Sequence, residues 1–165
     1  NDQSWFFHGE ADVALLPLNP SEHFKGIIKV IEHNQLLISE NQYAQFRNRM
    51  LTTIGFPLSL GSRGKFSPIT KSSKAASNLL NYKRADTKTE TTFLILDDPS
   101  VQGFSGAPVY ALSEVNLGGI AFGTGAFACV GLVHGTLSDN TGGKFAAIVP
   151  AYFINQTIEA YENRR

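Results

Sequence analysis

Cysteine, charge and long apolar runs are all scarce in this chain of 165 residues. Its single cysteine, Cys129, cannot form an internal disulfide, and a lone cysteine in an apolar segment is usually buried and inert. Charged residues make up 17% of the chain and the formal net charge is +0, which excludes the basic field that nucleic-acid binding requires. No run reaches the roughly 18 apolar residues of a membrane span. The sequence therefore predicts a domain stabilised by its core, with no nucleic-acid partner and no membrane span.

Cofactor and metal motifs are also missing. The four histidines are scattered, H-E-x-x-H does not occur, and one cysteine cannot build a thiolate site. The phosphate-loop pattern G-x-x-x-x-G-K-[ST] is absent as well. We therefore predict no metal and no cofactor.

What the sequence does contain is a series of short β-rich runs separated by glycine, proline, asparagine and serine. The runs are 12–18, 26–31, 50–58, 92–98, 107–112, 128–136 and 144–150. Their spacing predicts an all-β fold, an antiparallel sandwich or barrel. The glycine-rich segment 113–127 is typical of a long hairpin, and the basic run 71–84 indicates a solvated loop or edge.

Two helices are predicted among these strands. One spans 39–50, with Ser39 as N-cap and Gln42 three residues later. The other spans 151–164 after Pro150, with Ile154, Ile158 and Tyr161 on the face that should dock on the sheet.

The segment "SVQGFSGAPVYAL", residues 100–112, raises the question of function. Ser105 lies between two extended runs, so the segment is either a tight turn with an incidental serine or a loop that presents a nucleophile. The nucleophile elbow of α/β-hydrolases, G-x-S-x-G, is excluded because Ala107 occupies the position of its second glycine.

Four segments in the same order resemble the chymotrypsin-like (trypsin-like) serine proteases, in particular cysteine-poor, bacterial-type members. "QGFSGAPVY" resembles the nucleophile loop, and "EADVALLPL" (10–18) resembles the segment around the triad aspartate. "CVGLVHGT" (129–136) resembles the strand that pairs with substrate, and "GGKFAAIVPAYFINQTIEAY" (142–161) resembles the closing strand and helix. The resemblance covers nearly the whole chain.

The resemblance implies a double-barrel fold with a C-terminal helix and endopeptidase chemistry on a polypeptide substrate. Residues 1–20 would be the end of the first barrel and the link, and 21–165 the second barrel. Ser105 would be the nucleophile and Asp12 would orient a histidine, while the amides of Gly103 and Ser105 would form the oxyanion hole. The implied substrate-binding residues are Pro99, Gln102, His134, Gly135 and Gly143.

The chain departs from the family pattern most clearly at the catalytic histidine. The family's histidine lies upstream of the aspartate, where this chain offers only His8, which lacks the expected small-residue context. His134 stands where the family usually has serine and is interpreted as a polar residue lining the cleft. We therefore expect the histidine in a missing N-terminal part, which would be a partner of this chain, and a chain that is nearly inactive alone.

Two further points stay open. With Pro99 and Gly143 uncharged, the pocket for the residue before the cut is predicted to be apolar or aromatic, although a one-residue shift onto Asp98 would make it favour a basic residue. Phe104, directly before Ser105, cannot make the aspartate contact used in zymogen activation, so activation of that kind is not expected. The alternative function is an inactive pseudoprotease that binds peptides.

Overall fold

The computed structural model describes residues 4–28, 30–84, 86–117 and 120–164. The chain is mostly β, with eleven helices and strands in the described part besides three short 3-10 helices. The strands are β1 (Phe6–Phe7), β2 (Ala14–Leu15), β3 (Met50–Gly55), β4 (Ile69–Lys74), β5 (Leu80–Lys83), β6 (Glu90–Leu96), β7 (Pro108–Leu117), β8 (Ile120–Ser138) and β9 (Lys144–Pro150). The α-helices are α1 (Glu22–Lys25) and α2 (Ala151–Glu162), and the 3-10 helices are His33–Gln35, Glu40–Gln45 and Pro57–Ser59.

Seven strands form one antiparallel sheet in the order β4-β3-β7-β8-β9-β6-β5. The prediction of a mostly antiparallel β fold with a C-terminal helix is confirmed. The predicted double barrel is not, because the sheet is not closed into a barrel. The chain just after β4 approaches the end of β6, where Ala75 bridges to Leu96 and the amides of Ala76 and Asp97 donate to the carbonyls of Ile95 and Lys74.

One hydrophobic core runs from the sheet to the helix α2. Residues 93–96 of β6 all enter this core although successive side chains of a strand point to opposite faces, so both faces of β6 are covered there. Residues 146–150 of β9 are buried without interruption, since helix α2 and the sheet cover both of its faces. The largest fully buried side chains include Tyr43, Leu51, Phe93, Leu94, Val109, Val130 and Ile148.

The N-terminal segment packs onto helix α2. Strands β1 and β2 pair as a small hairpin, and Ala11 and Val13 belong to the same core as the large sheet. Phe6 lies 5.9 Å from Tyr161 of α2, measured between ring centroids. The buried side of α2 contains Tyr152 and Phe153. The residues of the predicted docking face, Ile154, Ile158 and Tyr161, are partly buried, and Ile154 packs against the core.

Two sequence-based assignments of secondary structure need correction, and a third agrees with the structure. Residues 26–31 do not form a strand in the described part of the chain, where a short helix and a turn precede exposed residues. The predicted helix 39–50 is a 3-10 helix, Glu40–Gln45, although its capping box between Ser39 and Gln42 is present as predicted. The basic run 71–84 contributes strands at both edges of the sheet, which agrees with the edge interpretation.

Tyr43 ties the 3-10 helix to the start of α2. Its hydroxyl donates a hydrogen bond to the carbonyl of Val130 at 2.6 Å and accepts one from the amide of Ala151 at 2.8 Å. The side chain is fully buried, and this burial raises the pKa of Tyr43 far above its usual range. The hydroxyl thus satisfies two buried backbone groups on different elements.

Replacing Tyr43 with phenylalanine should destabilise the fold by about 1–3 kcal/mol, because the carbonyl of Val130 and the amide of Ala151 would stay buried without a partner. Urea unfolding followed by circular dichroism measures the change. The matched control is Tyr82→Phe, which removes the hydroxyl of a tyrosine that is 47% exposed and should alter stability by less than about 0.5 kcal/mol. Equal effects of the two substitutions would contradict the assigned role.

Candidate active site

The loop between β6 and β7 is anchored by a phenylalanine and presents a serine. Phe104 is 2% exposed, and its ring lies against Gly55 of β3. Its amide donates to the carbonyl of Val101 at 3.0 Å, and its own carbonyl accepts from the amide of Ala107 at 2.8 Å. With Phe104 directed inward, Ser105 is left exposed at the top of the turn. The residue that the family resemblance marks as a departure is therefore the buried anchor of the loop.

Within this turn, amides that donate hydrogen bonds alternate with amides that do not. The amides of Phe104, Gly106 and Ala107 each donate to a backbone carbonyl. Those of Gly103 and Ser105 donate to no group in the described ranges of the chain. Backbone donors are seldom left without a partner when they are not open to water or a ligand. The two donors without protein partners are those assigned to the oxyanion hole from the sequence.

The backbone of Gly103 explains why glycine occupies this position. Its φ of +92° lies in the left-handed region, which residues with a Cβ rarely adopt. A Cβ at Gly103 would also lie 2.9 Å from the amide nitrogen of Leu58. That amide donates to the carbonyl of Gln102 at 3.0 Å, so the loop and the 56–59 turn support each other. Gln102, predicted to bind substrate, thus holds the loop through its carbonyl group.

Asp12 contacts a histidine, but not one upstream of it. Its Oδ2 lies 2.8 Å from Nδ1 of His134 in β8. The pairing of β8 with β9 proceeds to Val133, skips His134 and resumes at Gly135. His134 is therefore the extra residue of a β-bulge, a device that redirects a side chain and is common beside active sites.

The bulge lies directly beside the nucleophile loop. The amide of Gly106 donates to the carbonyl of Val133 at 2.8 Å. This hydrogen bond joins the peptide group between Ser105 and Gly106 to the one between Val133 and His134. A second bond, from the amide of Val133 to the carbonyl of Ala107 at 2.9 Å, fixes the two segments together. The sheet thereby holds the backbones of Ser105 and His134 next to each other.

A buried arginine holds the other oxygen of Asp12. Nη2 of Arg84 lies 3.3 Å from Oδ1 of Asp12, and its side chain is only 9% exposed. The same guanidinium makes two hydrogen bonds to Asp86, at 3.0 and 2.5 Å. The Asp86 contact raises the pKa of Arg84, and the guanidinium holds the pKa of Asp86 well below its usual range. Arg84 fixes Asp12 on the side opposite His134, a role that sequence reasoning missed because nothing local pairs residues 12 and 84.

His8, the only histidine before Asp12, has both ring nitrogens engaged elsewhere. Its Nδ1 accepts hydrogen bonds from the amides of Glu10 and Ala11 at 3.1 and 2.9 Å. Its Nε2 lies 3.2 Å from Oε1 of Gln156 on α2. Because Nδ1 accepts, Nε2 carries the proton and donates it to the Gln156 oxygen. His8 is a structural residue of the N-terminal hairpin.

The residues predicted to form the specificity pocket lie in two places. Beneath the nucleophile loop is a cavity of only about 10 Å³, room for about one water molecule, lined by Thr53, Lys71, Ser73, Leu96, Ser100, Phe104, Val133 and Ala146. Nζ of Lys71 donates to the carbonyl of Pro99 at 2.7 Å and lies 3.8 Å from Asp98. The ammonium group of Lys71 therefore lies next to Pro99, although Pro99 and Gly143, the two residues from which the sequence predicts the pocket, are uncharged.

Gly143 lies outside that pocket, in the turn between β8 and β9. Oδ1 of Asp139 accepts hydrogen bonds from the amides of Thr141 and Gly143 at 2.8 and 2.9 Å. These bonds, with that from the hydroxyl of Thr141 as the largest cause, lower the pKa of Asp139. Gly143 lines a separate surface pocket of about 440 Å³ together with Tyr82, Leu137, Ser138, Asp139 and Phe145.

Cys129 is excluded as a nucleophile by its surroundings. It is fully buried in β8, and burial raises the pKa of its thiol to about 11. The thiolate is the reactive form of cysteine, so a buried thiol with a raised pKa is inert.

No protein-family model, curated protein or solved structure was found to match the chain. Among the described residues, no cluster of three or more histidine, cysteine, aspartate or glutamate side chains is arranged to hold a metal ion. No helix in the described ranges is long and apolar enough to cross a membrane.

Proposed function

We propose that the chain is a serine endopeptidase of the chymotrypsin-like type, with Ser105 as its nucleophile. The observation that carries this proposal is the pair of amides, Gly103 and Ser105, that donate to no group among the described residues and lie beside an exposed serine. Two consecutive β-turns, 101–104 and 104–107, account for the pattern, because the inner amides of a β-turn are normally left without a backbone partner. The turns therefore leave the amides of Gly103 and Ser105 available to an oxyanion. An oxyanion hole requires this arrangement.

In the proposed reaction, Oγ of Ser105 attacks the scissile carbonyl carbon and gives up its proton to a base. The carbonyl oxygen becomes the oxyanion and accepts hydrogen bonds from the amides of Gly103 and Ser105. The carbon–nitrogen bond then breaks, the amine leaves with the proton from the base, and an ester to Ser105 remains. The same base then takes a proton from water, whose oxygen attacks the ester carbon, and returns that proton to Oγ of Ser105 as the ester bond breaks and the acid leaves.

A free strand edge beside the loop supports a polypeptide substrate. Pairing of β7 with β8 ends at Leu132, whereas β9 pairs with β8 from Gly135 to Ser138. The opposite edge of 134–138 is thus without a strand partner in the described sheet and can add an extended peptide as a new strand. A groove of about 390 Å³ lies beside this segment, lined by Tyr82, Lys83, Arg84, Lys88, Thr136, Leu137 and Ser138. His134 and Gly135, predicted to bind substrate, lie at the start of this edge.

A fluorophosphonate probe tests the nucleophile directly, because the serine oxygen displaces fluoride and forms a stable phosphonate ester. Wild-type protein should be labelled at Ser105, as located by mass spectrometry, and Ser105→Ala should remove the labelling entirely. Ser72→Ala, which changes an exposed serine on β4, is the control and should be labelled as fast as wild type. Labelling that persists in Ser105→Ala, or is missing from folded wild type, would refute the assignment.

The second candidate is a pseudoprotease that binds an extended peptide without cleaving it. The free edge of β8 favours this candidate as much as it favours the enzyme, because strand addition needs no catalytic residue. Folded protein that binds extended peptides but never reacts at Ser105 would support it over the endopeptidase.

A further inference from the structure

We infer that His134 is the base that takes the proton of Ser105, in place of the upstream histidine that the family resemblance implies. This inference rests on the proposed function, since it presupposes that Ser105 is the nucleophile. It gives the chain its own aspartate, histidine and serine, with the histidine supplied by β8.

The first argument is the hydrogen bond between Asp12 and His134. A carboxylate only accepts hydrogen bonds, so Nδ1 of His134, 2.8 Å from Oδ2, must donate its proton. In the neutral ring this leaves the lone pair on Nε2, where a base needs it. Arg84, 3.3 Å from Oδ1, holds the carboxylate in place without competing for Oδ2.

The second argument is the closeness of the two backbones. One hydrogen bond of 2.8 Å joins the peptide group after Ser105 to the peptide group before His134. The bulge at His134 interrupts the alternation of β8 side chains between the two faces of the sheet. The His134 side chain can therefore take a direction that regular pairing would not allow. A base is effective only when the chain holds it near the nucleophile, and these backbone hydrogen bonds keep the two residues on neighbouring segments.

The third argument comes from comparing the four histidines. Both nitrogens of His8 are engaged in the N-terminal hairpin, and His33 bonds Asn155 of α2. His23 lies on the short helix α1, exposed against the ring of Phe24. Only His134 has a carboxylate on Nδ1 in the described part of the chain.

The environment of His134 also restricts the orientation of its ring, as a base requires. Its ring lies 5.1 Å from that of Phe93, which is fully buried, and its side chain is 19% exposed. The ring is thus supported on one side and still accessible. In the reaction, Nε2 takes the proton of Ser105 as Oγ bonds the carbonyl carbon, then passes it to the departing amine nitrogen. It repeats the transfer with water when the ester is hydrolysed.

The decisive variants are His134→Gln and His134→Gly in the full chain, measured by the rate of fluorophosphonate labelling of Ser105. Glutamine can still donate a hydrogen bond to Asp12 but cannot accept the serine proton. Both variants should be labelled about 100- to 10,000-fold more slowly than wild type. Added imidazole should restore part of the rate in His134→Gly, a rescue that a purely structural role would not show. His23→Gln is the matched control and should react like wild type.

The outcomes separate this inference from the proposed function. If wild type is never labelled at Ser105, the proposed function fails and this inference fails with it. If Ser105 is labelled in wild type and equally fast in folded His134→Gln, only the assignment of His134 is overturned. If His134→Gly does not fold, Asp12→Asn supplies the test, because loss of the carboxylate should slow labelling by disturbing the ring tautomer. Unchanged labelling in folded Asp12→Asn would also overturn the assignment.

Discussion

Replacing Gly103 with alanine is expected to slow labelling of Ser105 about 100- to 1,000-fold while the sheet stays folded, because one oxyanion donor would be misplaced. The new Cβ would lie 2.9 Å from the amide nitrogen of Leu58 and 3.2 Å from Cα of Pro57. Both of these atoms belong to backbone and cannot swing aside as a side chain would. The peptide group that carries the Gly103 amide must therefore rotate or shift.

The turn opposite Gly103 is poorly able to absorb this strain. Leu58 and Ser59 already have φ values of +54° and +61°, which non-glycine residues seldom adopt. Each such residue costs about 1–3 kcal/mol and persists only when its surroundings enforce it. We expect the nucleophile loop to yield, since it is open to solvent at Ser105, so the loss should appear in reactivity more than in stability.

The matched control for Gly103→Ala is Gly64→Ala. Gly64 also has a positive φ, +72°, but a Cβ there would meet nothing within 4 Å. The Gly64→Ala variant should have the same energetic cost of a positive φ without disturbing the nucleophile loop. The rate of Ser105 labelling should therefore equal that of wild type. If Gly103→Ala is folded and labelled at the wild-type rate, the Gly103 amide does not serve as an oxyanion donor.

The sequence predicts the fold best where local and global signals agree. The run 144–150 is a strand whose residues 146–150 are buried, and Pro150 immediately precedes α2, as its fixed backbone angle favours. Ser39 and Gln42 form the capping box that their spacing predicts. In each case a few neighbouring residues determine the local structure, and that structure is compatible with the rest of the fold.

Where hydrophobic pattern and sheet position conflict, the sequence is misleading. The apolar residues of 26–31 indicate a strand, yet Ile27 and Ile28 are 64% and 47% exposed. Strand β4, with the sequence ITKSSK, carries little apolar signal because an edge strand needs to bury only part of one face. Sheet order and curvature, which depend on residues far apart in the chain, decide both cases.

The candidate site shows the same division between local and distant information. Ser105 and Gly103 are recognisable because the loop's requirements are local, namely a permissive glycine and a serine at the turn. The contact of Asp12 with His134 joins residues separated by 122 positions and depends on a one-residue bulge in β8. No pattern in the sequence marks that bulge, so His134 was interpreted as a cleft residue rather than as the partner of Asp12.

Strand β8 is the element on which both the fold and the candidate site depend. Gly131→Ala in this strand should therefore destabilise the protein by more than about 3 kcal/mol, the upper end of the usual cost of overpacking a core. A Cβ at Gly131 would lie 2.1 Å from the carbonyl oxygen of Val149 and 2.9 Å from Cγ2 of Ile148. Gly131 pairs with Val109 of β7 on one side and Pro150 of β9 on the other, so the backbone cannot move away in either direction.

This loss would be large against a total stability of about 5–15 kcal/mol for a domain, and we expect Gly131→Ala to be largely unfolded or insoluble. Gly135→Ala, four residues along the same strand, is the matched control. A Cβ at Gly135 would meet nothing within 4 Å, and the residue lies where β8 has left β7. Urea unfolding should therefore place Gly135→Ala within about 1 kcal/mol of wild type, roughly the cost or gain of a glycine-to-alanine change in a strand. If Gly131→Ala were as stable as this control, the close contact described between β8 and β9 would be contradicted. The inferred placement of His134 near Ser105, which depends on that contact, would then lose its support.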